Sequence, residues 1–308
     1  MKEQLQLNKN KRIKTMLVFL FSIFLLITNQ ALVKKSVEGS LKLCASAIIP
    51  AVFPFMILTD YFLYGFTLST DSKLTKLFEK AFAINGMGAV PFLIGNICGF
   101  PIGAKISSLM KKNGCISENE YQRLIPMCTN PSLAFVISGV GSGMRRSLTD
   151  GLILYFSLIL STALTGLIWR SKKTASHFHQ ELKIDRFSLS ESIKNASICC
   201  VYVTSYVVFF SIVIGVISIP KLPLVIKLIA SSLLEIGNAA YLISQSQELI
   251  AFSLPLTAFA LGFSGISVYL QAAVFSDAKI SSVYFKMKVT EGFLAFLITA
   301  ITTFILHI

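Results

Sequence analysis

Charge is scarce in this chain and unevenly signed. Only 14% of its 308 residues are charged, and 15 acidic residues stand against 28 basic ones. No polar stretch is long enough to form a soluble domain. A hydrophobic content of 54% and a mean hydropathy of +0.71 exclude the soluble class and point to a polytopic membrane protein. Histidine is nearly absent: His177 and His179 form an isolated pair in a polar segment, and His307 is near the C-terminus. The six cysteines, Cys44, Cys98, Cys115, Cys128, Cys199 and Cys200, include no CxxC pair. Neither a zinc site nor a disulfide framework is expected, and most of them serve as small hydrophobes in apolar runs. There is no HExxH, GxSxG, DDxxD or Cys/His constellation. The chain therefore reads as a non-enzyme without cofactor or bound metal. The net charge of +13 invites a nucleic-acid partner. The basic residues lie in short loops and at the N-terminus, with no array of aromatics and arginine, so no nucleic acid is expected.

What the chain does have is a succession of apolar runs. A basic N-terminus (Lys2, Lys9, Lys11, Arg12, Lys14) leads into apolar residues 16–33. Gln30-Ala31-Leu32-Val33-Lys34-Lys35 is a poor cleavage site, so this run is expected to be an uncleaved first membrane helix. A second run, 37–66, is broken by Pro50 and Pro54, with Asp60 near its end. In polar residues 69–80 and just beyond, Leu74, Leu77, Phe78, Ala81 and Phe82 recur at helical spacing and predict an amphipathic interfacial helix. Ser117/Glu120 and Ser188/Glu191 have capping-box spacing. The first pair predicts a short surface helix and the second starts a membrane span. Further spans are expected at 148–169, with Trp169 as interface anchor, at 193–219, at 249–275 and at 289–306 after a polar segment 277–288. Asp60 and Glu291 fall near run ends and read as solvated.

Charge counting sets the topology. The basic N-terminus and the basic linker 170–190 should both be cytoplasmic. Five full crossings between them would put the linker outside. If 88–110 is a re-entrant hairpin, four crossings remain, and 224–244 can be treated alike. The chain then divides into an N-terminal extra helix (1–36), a first repeat (37–169), the linker (170–190) and a second repeat (191–308). The expected fold is an all-α polytopic membrane protein with inverted-topology repeats, about seven spanning helices and two re-entrant hairpins. The C-terminus would be extracytoplasmic.

Four stretches put polar or helix-breaking residues inside apolar runs. Gly99-Phe100-Pro101-Ile102-Gly103-Ala104-Lys105 could offer free backbone N–H groups and a cation to an anionic solute. Equally, its glycines could serve close packing while Lys105 snorkels. Thr129-Asn130-Pro131-Ser132 could cap the following half-helix or touch a ligand. Glu235 and Asn238 share a helix face, where the carboxylate could pair with Lys105, bind a proton, hold a cation or be purely structural. Ser264, Gly265, Ser267 and Gln271 follow as a fourth stretch of small and polar residues.

These stretches also carry a family resemblance. Pro50-Ala51-Val52-Phe53-Pro54, Gly99 to Lys105, Gly114-Cys115-Ile116-Ser117 with Glu120, Thr129 to Ser132, Leu233-Leu234-Glu235-Ile236 with Asn238, and Gly262 to Gln271 occur in the order found in YlbJ-type sporulation integral membrane proteins. Those belong to the wider nucleoside-recognition, or Gate-domain, group. The resemblance covers about residues 41–284. It implies a multi-pass protein of spore formation in a Firmicute, in the cell or forespore membrane, associated with moving dipicolinic acid toward the spore. The sequence is thus read as a permease of a small anion, with a proton or sodium ion as possible coupling partner and lipid as its surroundings. The alternatives are a neutral-solute or nucleoside carrier of the same fold, and a non-transporting assembly factor of sporulation.

Overall fold

Helix is the regular structure of the described residues, as a chain in hydrocarbon requires when each segment must satisfy its own backbone. The computed structural model describes residues 2–62, 72–171, 188–219, 222–246, 252–276 and 281–306, without the side chains of 2–13, 18 and 62. Most of the expected linker, with His177 and His179, lies outside these residues, as does His307.

The first helix, α1 (Lys2–Thr28), ends at Asn29, whose side chain turns back to donate to the Leu25 carbonyl (2.9 Å). From there α2 (Gln30–Leu43) continues through a π-helical turn, Cys44–Ile48, into α3 (Ile49–Phe62). The expected boundary near residue 35 is therefore absent, and Gln30–Tyr61 is one apolar helix. The π turn sits just ahead of Pro50 and Pro54, whose missing N–H groups interrupt the regular ladder. Ser72 caps α4 (Lys73–Phe82) by accepting from Thr75 N (3.1 Å). Phe78 and Phe82 of α4 are buried, whereas Leu74 and Leu77 face outward.

A 3-10 turn, Gly86–Gly88, leads into α5 (Ala89–Cys98), which packs on α6 (Ile102–Lys112). The Ser117–Glu120 capping box does start α7 (Glu118–Cys128). This helix is not a surface helix, however, because Glu120, Arg123 and Leu124 are buried. Glu120 also accepts from Asn85 N (2.8 Å), and Arg123 donates to the last carbonyls of α4, Phe82 O (2.8 Å) and Ala83 O (2.7 Å). A π-helical segment, Phe135–Met144, precedes α8 (Leu148–Ile168). The second capping box starts α9 (Leu189–Ile217). Then come α10 (Leu224–Leu234), α11 (Ile236–Ser244), α12 (Ser253–Phe263), α13 (Gly265–Val274) and α14 (Ser282–Leu306). The last helix begins inside the segment read as polar, at Ser282, and so carries Lys288 into the interior.

Five helical stretches among the described residues are long and apolar enough to cross a membrane: Gln30–Tyr61, Leu148–Ile168, Leu189–Ile217, Ser253–Val274 and Ser282–Leu306. A pair bent by 97°, Lys73–Phe82 with Gly86–Cys98, would make six. The count is lower than about seven because α1 and α2 divide at Asn29, leaving a short apolar part of α1, and because the run 127–144 is broken at Thr129–Ser132, leaving only Phe135–Met144. Outward faces are strongly apolar, with Phe156, Val201, Phe209 and Phe304 exposed as lipid-facing side chains would be. Inside, α8, α12 and α14 pack together, and α2 and α3 pack on α9. One continuous core joins Val52 and Met56, Val136 and Val140, Leu154 and Leu158, Val203 and Val207, and Leu261.

The α5–α6 pair sits on the end of α7 through glycine. A Cβ on Gly95 or on Gly103 would collide with the Cys128 carbonyl. Gly103→Ala should therefore cost about 1–3 kcal/mol by overpacking and lower the melting temperature in detergent. Gly39→Ala, at an exposed position with nothing within 4 Å, should not.

Candidate functional site

Four helix breaks shape the interior, and they meet in pairs. The first, at Gly99-Phe100-Pro101 between α5 and α6, lies against the second, Thr129 to Ser132 after α7. Gly99 has φ +86°, and a Cβ there would lie 2.7 Å from Ser132 N, so both its backbone angle and its contact demand glycine. Phe100 N donates to Asn130 O (2.9 Å), which ties the two breaks through their backbones. The third break, at Glu235 between α10 and α11, meets the fourth, at Ser264 between α12 and α13. Ser264 and Gly265 both have φ +69°, and a Cβ on Gly265 would lie 3.2 Å from Leu234 O.

Between the two pairs lies a small cavity. Phe100, Pro131 and Ser132 line it from one side, and Glu235, Ile236 and Gln271 from the other, with Val203 and Val207 of α9 across it. Its volume is about 20 Å³, which suits a water molecule.

Glu235 is 2% exposed and caps α11. Its Oε1 accepts from Gly237 N (2.9 Å), and its Oε2 accepts from Asn238 N (2.7 Å) and Asn238 Nδ2 (2.9 Å). The same Asn238 amide donates to Ser211 Oγ (2.6 Å) on α9. Three N–H donors therefore hold the carboxyl group at the N-terminus of α11. No described Lys or Arg forms an ion pair with it. Gln271 Nε2 donates to Ser267 Oγ (2.9 Å), while Gln271 Oε1, also buried, has no partner.

Lys105 does not reach Glu235. It pairs instead with Asp60 of α3 (2.7 Å), and Asp60 also accepts from Asn195 Nδ2 on α9 (3.0 Å). Asp60 is buried rather than solvated, because Lys105 and Asn195 replace water around its oxygens. This trio joins α3, α6 and α9, and none of the three lines the cavity.

Thr129 and Asn130 belong to another cluster. Lys288 and Glu291, at i and i+3 on α14, form a fully buried ion pair (3.0 Å; side chains 0% and 1% exposed). Lys288 also donates to Asn130 Oδ1 (2.6 Å), and Glu291 accepts from Thr162 Oγ1 (2.7 Å). Asn130 Nδ2 donates to Asn96 Oδ1 (2.8 Å) and Thr162 Oγ1 (2.7 Å). Thr129 Oγ1 bonds Tyr284 Oη (3.2 Å). The network clamps the second break onto α5, α8 and α14, and Glu291 is thus internal rather than solvated.

Of the residues singled out from sequence, Ser132, Glu235 and Gln271 line the cavity. Gly99, Pro101 and Gly103 shape the first break, while Asn238, Ser264, Gly265 and Ser267 support the second pair. Lys105, Thr129 and Asn130 point elsewhere. Lys288, Glu291, Asn96 and Thr162 carried one usable signal: a Lys and a Glu of opposite charge at i and i+3 beside an apolar run.

Breaking a buried pair by removing one partner costs about 3–5 kcal/mol, whereas apolar replacement of both is often tolerated. Lys288→Met should therefore destabilise strongly, and Lys288→Met/Glu291→Leu should recover much of the loss in a detergent melting series. Asp60→Asn and Lys105→Gln should each lower stability, and the double variant should lose less than the sum of the two.

The chain is similar to the sporulation integral membrane protein YlbJ of Bacillus subtilis (strain 168). The two are 22% identical over 85% of this chain and 76% of that protein. No family model matches, and no solved structure matches.

Proposed function

Starting from an all-α, multi-pass homologue of a YlbJ-type sporulation integral membrane protein, we propose that the chain is a permease of a small anionic solute, dipicolinate during spore formation. One observation carries the reading: helix breaks from distant parts of the chain converge on one internal cavity. Broken helices are tolerated at membrane depth where they are buried in protein or line a water-filled cavity, and such breaks hold the solute and coupling-ion sites of many secondary transporters.

The order of elements supports two repeats of inverted topology. The hairpin α5–α6 and the broken α7 segment come first, and the hairpin α10–α11 and the broken α12–α13 segment follow. In this reading the N-terminus is cytoplasmic and the protein sits in the cell or forespore membrane. A cavity of about 20 Å³ is far smaller than dipicolinate, so transport requires the two pairs of breaks to separate. The N-terminus of α6, which has no side-chain cap, supplies the attraction for an anion. Lys105 acts as a positioning residue through Asp60 and not as a direct ligand.

A neutral solute is the second reading, favoured by the same placement of Lys105 and by the carboxylate of Glu235 at the cavity. Proteoliposome uptake separates the two. Dipicolinate should enter above protein-free vesicles, and Val207→Trp, which fills the cavity, should cut the rate at least about tenfold with the protein still in the membrane. Nucleoside uptake without dipicolinate uptake would select the neutral carrier. Movement of neither would favour an assembly role in sporulation.

A further inference from the structure

We infer that the cavity between the helix breaks is a sodium site, with the Glu235 carboxylate and Gln271 Oε1 as ligands. Binding at this site stands on its own geometry, and its role in coupling rests on the permease reading.

Two acceptor groups of the second pair of breaks border the cavity. Gln271 is 2% exposed and spends its amide N–H₂ on Ser267, which leaves Oε1 as a buried acceptor without a donor. Such an atom costs about 1–3 kcal/mol unless something satisfies it. On the same cavity wall, the Glu235 carboxyl group is held by N–H donors and has no cationic side chain paired with it among the described residues. The Ser132 hydroxyl, which accepts from Phe135 N (3.1 Å), is a third oxygen on the wall. The C-terminal carbonyls of α10, Ser232 and Leu234, lie against Gly265 at the adjoining break. They place the negative end of α10 on the same side.

These groups call for a cation, and their charge sets its valence. There is one carboxylate with neutral oxygens, and the described residues contain no group of three or more His, Cys, Asp or Glu that would suit a divalent ion. About 20 Å³ admits a bare small ion and excludes an organic cation. A bound sodium ion would neutralise Glu235 and so remove the repulsion that an anionic solute meets at the cavity. That is a physical route to coupling.

The test uses the purified full-length protein in detergent, without solute, at constant pH and ionic strength. Melting is followed as sodium chloride replaces N-methylglucamine chloride. Sodium should raise the melting temperature saturably, since a ligand of the folded state stabilises it. Gln271→Leu should shift the half-saturating sodium concentration upward at least about tenfold, and Glu235→Gln should abolish the response. If Glu235→Gln does not fold, Glu235→Asp and Gln271→Leu carry the test. An equal melting temperature in both salts would overturn the inference, as would a wild-type sodium response in Gln271→Leu. Stabilisation by acid without any by sodium would overturn it too. A sodium response without dipicolinate flux would leave the ion site standing and remove the dipicolinate reading.

Discussion

The structure depends on how backbone polar groups are satisfied where helices break inside an apolar interior. Each break frees N–H and C=O groups that hydrocarbon cannot solvate, at a cost of several kcal/mol apiece if nothing answers them. Here they are answered across a pair of breaks or by a side chain of the same break. Phe100 N finds Asn130 O, Phe135 N finds Ser132 Oγ, and Gly237 N and Asn238 N find the Glu235 carboxylate. The breaks are therefore coupled, and they come as two interlocked pairs with a cavity between them.

The buried charges divide by how they are compensated. Lys288 and Glu291 neutralise each other, and Asn130 and Thr162 supply further hydrogen bonds. That cluster is scaffold, because a satisfied pair gives a passing ion nothing to bind. Lys105 and Asp60 also compensate each other, with the lysine side chain still 35% exposed. Glu235 differs, for its carboxylate is held by N–H groups alone. In an interior with a low effective dielectric, this is the position that the proposed ion site uses.

Much of the architecture was legible from residues. Both capping boxes, Ser117–Glu120 and Ser188–Glu191, start helices as their spacing requires, because the partners are three residues apart and need nothing from elsewhere. The breaks at Gly99 to Pro101, Thr129 to Ser132, Glu235 and Ser264 were visible as interruptions of apolar runs. Other features were hidden. The α2–α3 helix runs through Lys34 and Lys35, which looked like an end. The α7 helix looked like a short surface element from its capping box, yet Arg123 is drawn inward by the last carbonyls of α4.

Sequence alone determined the class of molecule, the helical content and the positions of the breaks, because hydropathy, proline, glycine and capping act within a few residues. Tertiary structure decided which charges meet. The sequence offered Glu235, 130 positions away, as a partner for Lys105 and read Asp60, 45 positions away, as solvated. Spacing over such lengths carries no geometric information once helices fold back on one another. Only their packing assigned Lys105 to Asp60 and left Glu235 beside Gln271 at the cavity.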